Sequence, residues 1–150
     1  MNLSMRLLFI LSFFMFSCND DDNDVAPNSV PEAVTNALAT AFPDATDVEW
    51  EMSGENYEAD FDVNTVDYKA LLTADGSMLM YKHDIAQANL PEAVRTSISQ
   101  NYNSLQVDDT ELLSLSGTTY YQIDFDQEGQ DTKVVFTEDG QVQEQLTYWD

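Results

Sequence analysis

Apolar positions recur at two periods along this chain, and the switch between them predicts its elements. Val34, Ala37, Leu38, Ala41 and Phe42 fall at i, i+3, i+4, i+7 and i+8, one stripe of an α-helix. Pro31 suits the first turn, where its missing N–H costs nothing, and Pro43 ends the helix by removing a donor. Val48, Trp50 and Met52 then alternate with Asp47, Glu49 and Glu51, and Tyr57, Ala59, Phe61 and Val63 alternate with Glu58, Asp60 and Asp62. Period two with one apolar face predicts half-buried antiparallel strands. A third strand is predicted over residues 68–73 and a fourth over 77–83. Asp75-Gly76 between them accepts the positive φ of a tight hairpin turn.

The same order then returns. Val30-Pro31-Glu32-Ala33-Val34 recurs as Leu90-Pro91-Glu92-Ala93-Val94, an offset of 60. Tyr57–Asp62 recurs as Tyr121–Asp126, and Thr73-Ala74-Asp75-Gly76 as Thr137-Glu138-Asp139-Gly140, both at an offset of 64. The second helix keeps Val94, Ile98 and Tyr102, but Ser97 and Asn101 dilute its stripe, which predicts a shallower seat. Strands are predicted near 111–115, 119–125, 132–137 and 141–148. Each half reads α-β-β-β-β, and one half of about 60 residues would be marginal alone. The expected fold is therefore α+β. Tandem repeats over 30–88 and 89–150 form an antiparallel sheet of about eight strands, with two helices packed on one face and the other face open and acidic.

Residues 1–17 have a different character. Arg6 precedes a 10-residue apolar run, Leu7 to Phe16, as in a secretory signal peptide. A spanning helix needs roughly 20 such residues. Ser17-Cys18 after this run resembles the lipobox of bacterial lipoproteins, although Met15-Phe16 departs from its usual pattern; the resemblance implies that Cys18 is acylated and becomes the first residue. Residues 18–29, with Asn19-Asp20-Asp21-Asp22-Asn23-Asp24, read as an acidic tether. Acidic residues just after the lipid cysteine also resemble the export signal of surface-displayed Bacteroidetes lipoproteins. The expected location is the cell envelope, lipid-anchored to the outer membrane, periplasmic or surface-exposed.

Several residues together resemble the PepSY-like lipoproteins of Bacteroidetes-type bacteria, whose fold is that of the beta-lactamase inhibitor protein. In the first half these are Pro31–Val34, Phe42-Pro43-Asp44-Ala45, Trp50-Glu51, Gly54, Tyr57–Phe61 and Asp75-Gly76-Ser77. In the second they are Pro91, Val94, Gly117, Tyr121–Phe125 and Asp139-Gly140. The Phe-Pro-x-Ala turn is lost at Tyr102-Asn103-Ser104-Leu105. The resemblance spans about residues 30–148. It implies an exported module without catalytic residues, related to an inhibitor that clasps an enzyme with its open sheet face and to modules that accompany peptidases.

Charge narrows the partners. Five basic against 28 acidic residues give a net charge of −23, which repels nucleic acid and anionic headgroups. Membrane contact is then expected through the lipid alone. Hydrophobic residues at 43% are still enough to build a core, so the charge does not imply disorder.

Candidate chemistry is sparse, and no cofactor is expected. His83 is the only histidine and Cys18 the only cysteine, so nucleophile–histidine devices and cysteine zinc sites lack their parts. The carboxylate pairs Glu49/Glu51, Asp60/Asp62 and Asp124/Asp126 read as a solvated strand face. Asp124, Asp126, Glu128 and Gly129 copy the first half of an EF-hand loop, but position 12 is Val135, so no dedicated metal site is expected. Weak divalent-cation binding, or a structural envelope role, is the alternative function. Leu71 and Val135 fall on the face opposite Leu72 and Phe136, with Met78 and Met80 beside them. An apolar centre ringed by Glu49, Glu51, Asp60, Asp62, Asp124 and Asp126 makes this face the candidate site for a protein partner, such as an exported enzyme.

Overall fold

The computed structural model describes residues 23–126 and 131–150. Cys18, the signal segment, Asp20–Asp22 and the predicted turn at 127–130, with Glu128 and Gly129, lie outside them.

Each half begins with a short 3-10 turn, at Pro27–Ser29 and Gln87–Asn89, followed by a helix of ten residues, α1 (Glu32–Ala41) and α2 (Glu92–Asn101). Glu32 and Glu92 place their charge at the positive ends of the helix dipoles. Seven strands follow in chain order: β1 (Ala45–Ser53), β2 (Asn56–Val63), β3 (Val66–Leu72) and β4 (Met78–Asp84) after α1, then β5 (Gln106–Leu115), β6 (Thr118–Asp126) and β7 (Thr132–Thr137) after α2. They form one antiparallel sheet in sequential order. The halves join where Met80–Asp84 pairs with Leu115–Glu111.

Cross-strand partners share a side of a sheet, so the register assigns every residue to a face. The inner face carries Ala59, Phe61, Ala70 and Leu72 beneath Val34 and Leu38 of α1. It continues with Tyr121, Ile123, Phe125, Val134 and Phe136 beneath Val94 and Ile98 of α2. Both helices thus pack on one face, as expected. The shallower seat predicted for α2 is slight: Val94 is as buried as Val34, while Ile98 is 8% exposed against 3% for Leu38. Tyr102 compensates for the diluted stripe by stacking on Phe125 at 4.8 Å and meeting Phe136 edge-on.

Three expectations need correction. Among the described residues the sheet has seven strands, since residues 141–148 form none; Val142 makes a single bridge to Phe136 and the chain then leaves the sheet. Glu144 interrupts the apolar alternation of Val142, Leu146 and Tyr148 there. Met78 is not on the outer face: a bulge between Leu71 and Leu72 pairs it with Leu72 and turns it into the first core. Structure also begins before the predicted domain start. Val25 N–H donates to the Trp50 carbonyl and Met52 N–H to that of Asn23, both at 2.8 Å, so Asn23–Val25 covers the free edge of β1.

Candidate functional site

The outer face of the sheet carries the remaining side chains of every strand. One row across it reads Asp60, Lys69, Lys82, Leu113 and Tyr120. A second reads Glu51, Glu58, Leu71, Met80 and Leu115. A third reads Asp84, Glu111, Gln122 and Val135, and a fourth Asp109, Asp124 and Lys133. All three lysines of the chain are here, each set among acids. Leu71 and Val135 are on this face as the alternation predicts, and Met80 sits between Leu71 and Leu115.

The face is not open throughout. After β7 the chain holds the sheet edge through Gln143 N–H to the Val135 carbonyl, 2.8 Å, and then crosses the face. Trp149 lands on side chains of three strands. Its carbonyl accepts from Lys82 Nζ at 2.8 Å and from Gln122 Nε2 at 3.0 Å. Its backbone N–H donates to Gln122 Oε1 at 3.0 Å, and its indole N–H donates to Glu58 Oε2 at 3.3 Å. Tyr148 lies against Lys133, whose ammonium is 4.9 Å from the ring centroid and pairs with Asp150. Leu71, Leu113 and Val135 are consequently buried, at 8%, 1% and 3% exposure, although no helix covers them.

A polar network lies beneath this crossing. Glu111 accepts from Lys82 at 2.8 Å, from Gln122 Nε2 at 2.8 Å and from the Tyr148 hydroxyl. Burial, then the negative Glu111, pushes the Tyr148 hydroxyl far above its ordinary range, so it stays a donor. Gln122 is fully buried with its amide bonded on both ends. Lys69 bridges Glu58 at 2.8 Å and Asp60 at 3.3 Å; burial alone would lower its pKa, but these carboxylates raise it. Sequence reasoning missed Lys82, Glu111, Gln122, Tyr148 and Trp149. The available signal was polar residues facing apolar Leu113 and Val135, with two aromatics where the predicted last strand ends.

The predicted acidic ring separates into two groups. Glu49 and Glu51 are exposed on β1, with Asp60 and Asp62 half-exposed beside them. Asp62 shares a hydrogen bond with Asp67, and that like-charge contact raises its pKa. Asp126 is exposed at the far end of β6. Asp124 is mostly covered, its Oδ1 without a hydrogen-bond partner among the described residues; burial raises its pKa although Lys133 stands 3.9 Å away.

At the junction of the halves a cleft of about 470 Å3 is lined by Asp67, Asp84, Asp108 and Asp109. Asp84, Asp109 and Glu111 bring one carboxylate oxygen each within 4.8 Å of the others. Burial and then Asp109, Asp67 and Glu111 raise the pKa of Asp84. Glu111 is already committed to Lys82, Gln122 and Tyr148. His83 stacks on Tyr68 at 4.6 Å on the inner side, and its Nδ1 meets the Asp84 carbonyl, so its partners among the described residues are local.

An α+β sheet with helices on one face and a polar, partly covered opposite face matches one family in sequence. The family described as "Putative beta-lactamase-inhibitor-like, PepSY-like" matches over residues 17–79 and 55–144. The chain belongs to this family. No curated protein matches it. Among solved structures, a BLIP-like protein of Bacteroides fragilis is 27% identical, with a TM-score of 0.67 over 79% of this chain and 92% of that one. A putative periplasmic protein of Bacteroides eggerthii shares 22% identity and a TM-score of 0.71, over 75% of this chain and 85% of that one. A DUF2874 family protein of Bacteroides uniformis has a TM-score of 0.69 at 21% identity, over 75% and 85%. The PepSY-like frame therefore covers both halves and the sheet that joins them.

Proposed function

We propose that this PepSY-like chain is an exported, non-catalytic binding module of the cell envelope. In this reading it is lipid-anchored through Cys18 at the outer membrane, on the periplasmic or the exposed side. It binds a protein partner, such as an envelope or secreted peptidase, through the outer sheet face. The inhibitor-like family and the BLIP-like relative support a binding role over a catalytic one. The observation that carries it is the free part of the outer face: exposed Glu49 and Glu51, flanked by half-exposed Asp60 and Asp62, share this face with the half-buried apolar Met80 and Leu115. A polar rim beside an apolar centre is the anatomy of a protein interface, and acids select a basic partner.

The test is retention of exported proteins of the source bacterium on the immobilised chain. Glu49→Lys with Glu51→Lys is the comparison, since both side chains are exposed and their reversal leaves the core intact. A protein held by the native chain and released by the reversal supports the reading. Equal retention on both baits removes it.

A second reading, weak divalent-cation binding, is favoured by the Asp84, Asp109 and Glu111 oxygens alone. Titration calorimetry with calcium showing no heat at millimolar concentration excludes it.

A further inference from the structure

We infer that the outer face contains a peptide-recognition site centred on Gln122. The segment Tyr148–Asp150 of the same chain fills it in cis, and it takes in exchange an extended partner peptide of the same chemistry: an aromatic residue, a tryptophan, then an acid. The inference deepens the binding-module reading and rests on it for the existence of a partner.

The site is built for main chain first. Gln122 is fully buried, and its amide reproduces a peptide group toward one residue, donating to the Trp149 carbonyl and accepting from the Trp149 N–H, both at 3.0 Å. Lys82 donates to the same carbonyl at 2.8 Å. Any extended backbone satisfies these bonds. Side-chain preference comes from the surroundings. Glu58 accepts the indole N–H, which phenylalanine lacks. Lys133 offers one cation to the ring of Tyr148 and to the carboxylate of Asp150, which selects an aromatic before the tryptophan and an acid after it.

The link to the fold is slight by comparison. Glu144, Gln145 and Thr147 are exposed, and the described backbone bonds between Gln143 and Trp149 reduce to Leu146 N–H on the Gln143 carbonyl. The segment adds no strand to the sheet and supplies no residue to either inner core cluster. It is a ligand on a short tether, and such tethers give effective concentrations on the order of millimolar. A peptide in solution therefore competes poorly with the native chain and well once the tethered copy is weakened.

The experiment uses the full chain with Trp149→Ala and a fluorescein-labelled peptide of sequence Gln-Glu-Gln-Leu-Thr-Tyr-Trp-Asp, followed by anisotropy at physiological salt. The variant is expected to bind about tenfold or more tighter than the native chain. The same peptide with phenylalanine for tryptophan, which changes no protein residue, is expected to bind about tenfold weaker than the parent. Far-UV circular dichroism confirms that the variant is folded. Absence of binding to the folded variant at millimolar peptide overturns the inference, as does equal binding of the phenylalanine peptide. A native dimer that Trp149→Ala dissolves overturns the cis assignment. Retention of exported proteins through Glu49 and Glu51 is read on a different part of the face, so either result can fail without the other.

Discussion

Gly76 passes the carbonyl oxygen of Ala33 in the first half as Gly140 passes that of Ala93 in the second, each with a Cβ position only 2.5 Å from that oxygen. The turn hydroxyls of Thr73 and Thr137 hold the carboxylates of Asp75 and Asp139 in the same way. On the inner face the halves are close counterparts. On the outer face they diverge. The first half has β4 as its fourth strand, protected by β5, and leaves Glu49 and Glu51 exposed. In the second half the corresponding segment makes only the bridge of Val142 to Phe136 among the described residues, leaves the sheet and covers the face with Trp149. Helix packing demands the same turn twice, whereas the outer side is free to differ, and this is where a site can arise.

The sharpest way to break the likeness is at the shared turn. Gly76→Val and Gly140→Val each combine a positive φ, +85° and +81°, with a clash against backbone that cannot rotate away. Each is expected to cost about 3 kcal/mol or more, read as a shift in denaturation midpoint. Gly54→Ala and Gly117→Ala meet nothing within 4 Å and carry only the backbone cost of their positive φ, about 1 kcal/mol. A large loss at one of Gly76 and Gly140 without the other would show that the halves do not pack their helices alike.

Next in size is the outer network. Lys82→Ala leaves Glu111, with 7% of its side chain exposed, without its ion-pair partner, and should cost about 3 kcal/mol. Lys69→Ala, whose own side chain is 22% exposed, should cost less, about 1 kcal/mol. The difference measures how well the crossing segment excludes water from the Lys82–Glu111 pair at the junction of the halves. Trp149→Ala should lose about 2 kcal/mol and should lower the cost of a following Lys82→Ala, because both act on one network. Strict additivity of the two would mean that the segment does not shield the pair.

The legible part of this molecule was what repeats. The 3.6-period stripe of Val34 and Leu38, the alternation through Trp50 and Phe61, and the turns at Asp75-Gly76 and Asp139-Gly140 state local preference and burial together, and the α+β frame follows from them. The register also made Leu71 and Val135 readable as outer-face residues. Met78 departs from the alternation because the bulge puts Met78 and Met80 on opposite faces, and the bulge has no marker in sequence. The last strand failed for a different reason. Its alternation is weak, and its fate depends on whether Gln122, Lys82 and Glu58, from strands far away in sequence, can satisfy Trp149. Such convergence belongs to tertiary structure alone, so the covered site was not predictable from any one segment.

The smallest effect is on pH, and it divides the acids by surroundings instead of by half. Asp84 and Asp124 are raised above the ordinary carboxylate range chiefly by burial, and Asp62 by its bond with Asp67. In the folded state these groups bind protons more readily than in the unfolded chain, so lowering the pH through their folded-state pKa values stabilises the protein. That gain is complete below the ordinary aspartate value of 3.8 and is lost again as pH rises. Asp75 opposes it: the Thr73 hydroxyl and the Ser77 N–H lower its pKa, so its contribution is present above 3.8 and disappears as pH falls through the lowered value. Stability should therefore rise modestly from neutral pH toward mildly acid solution, helped by relief of the net charge of −23, and decline at lower pH. Asp84→Asn with Asp124→Asn should flatten the acid-side rise in thermal midpoint while leaving the decline, which Asp75→Asn should reduce. A rise that persists unchanged in the double variant would assign it to overall charge and remove the buried carboxylates as its cause.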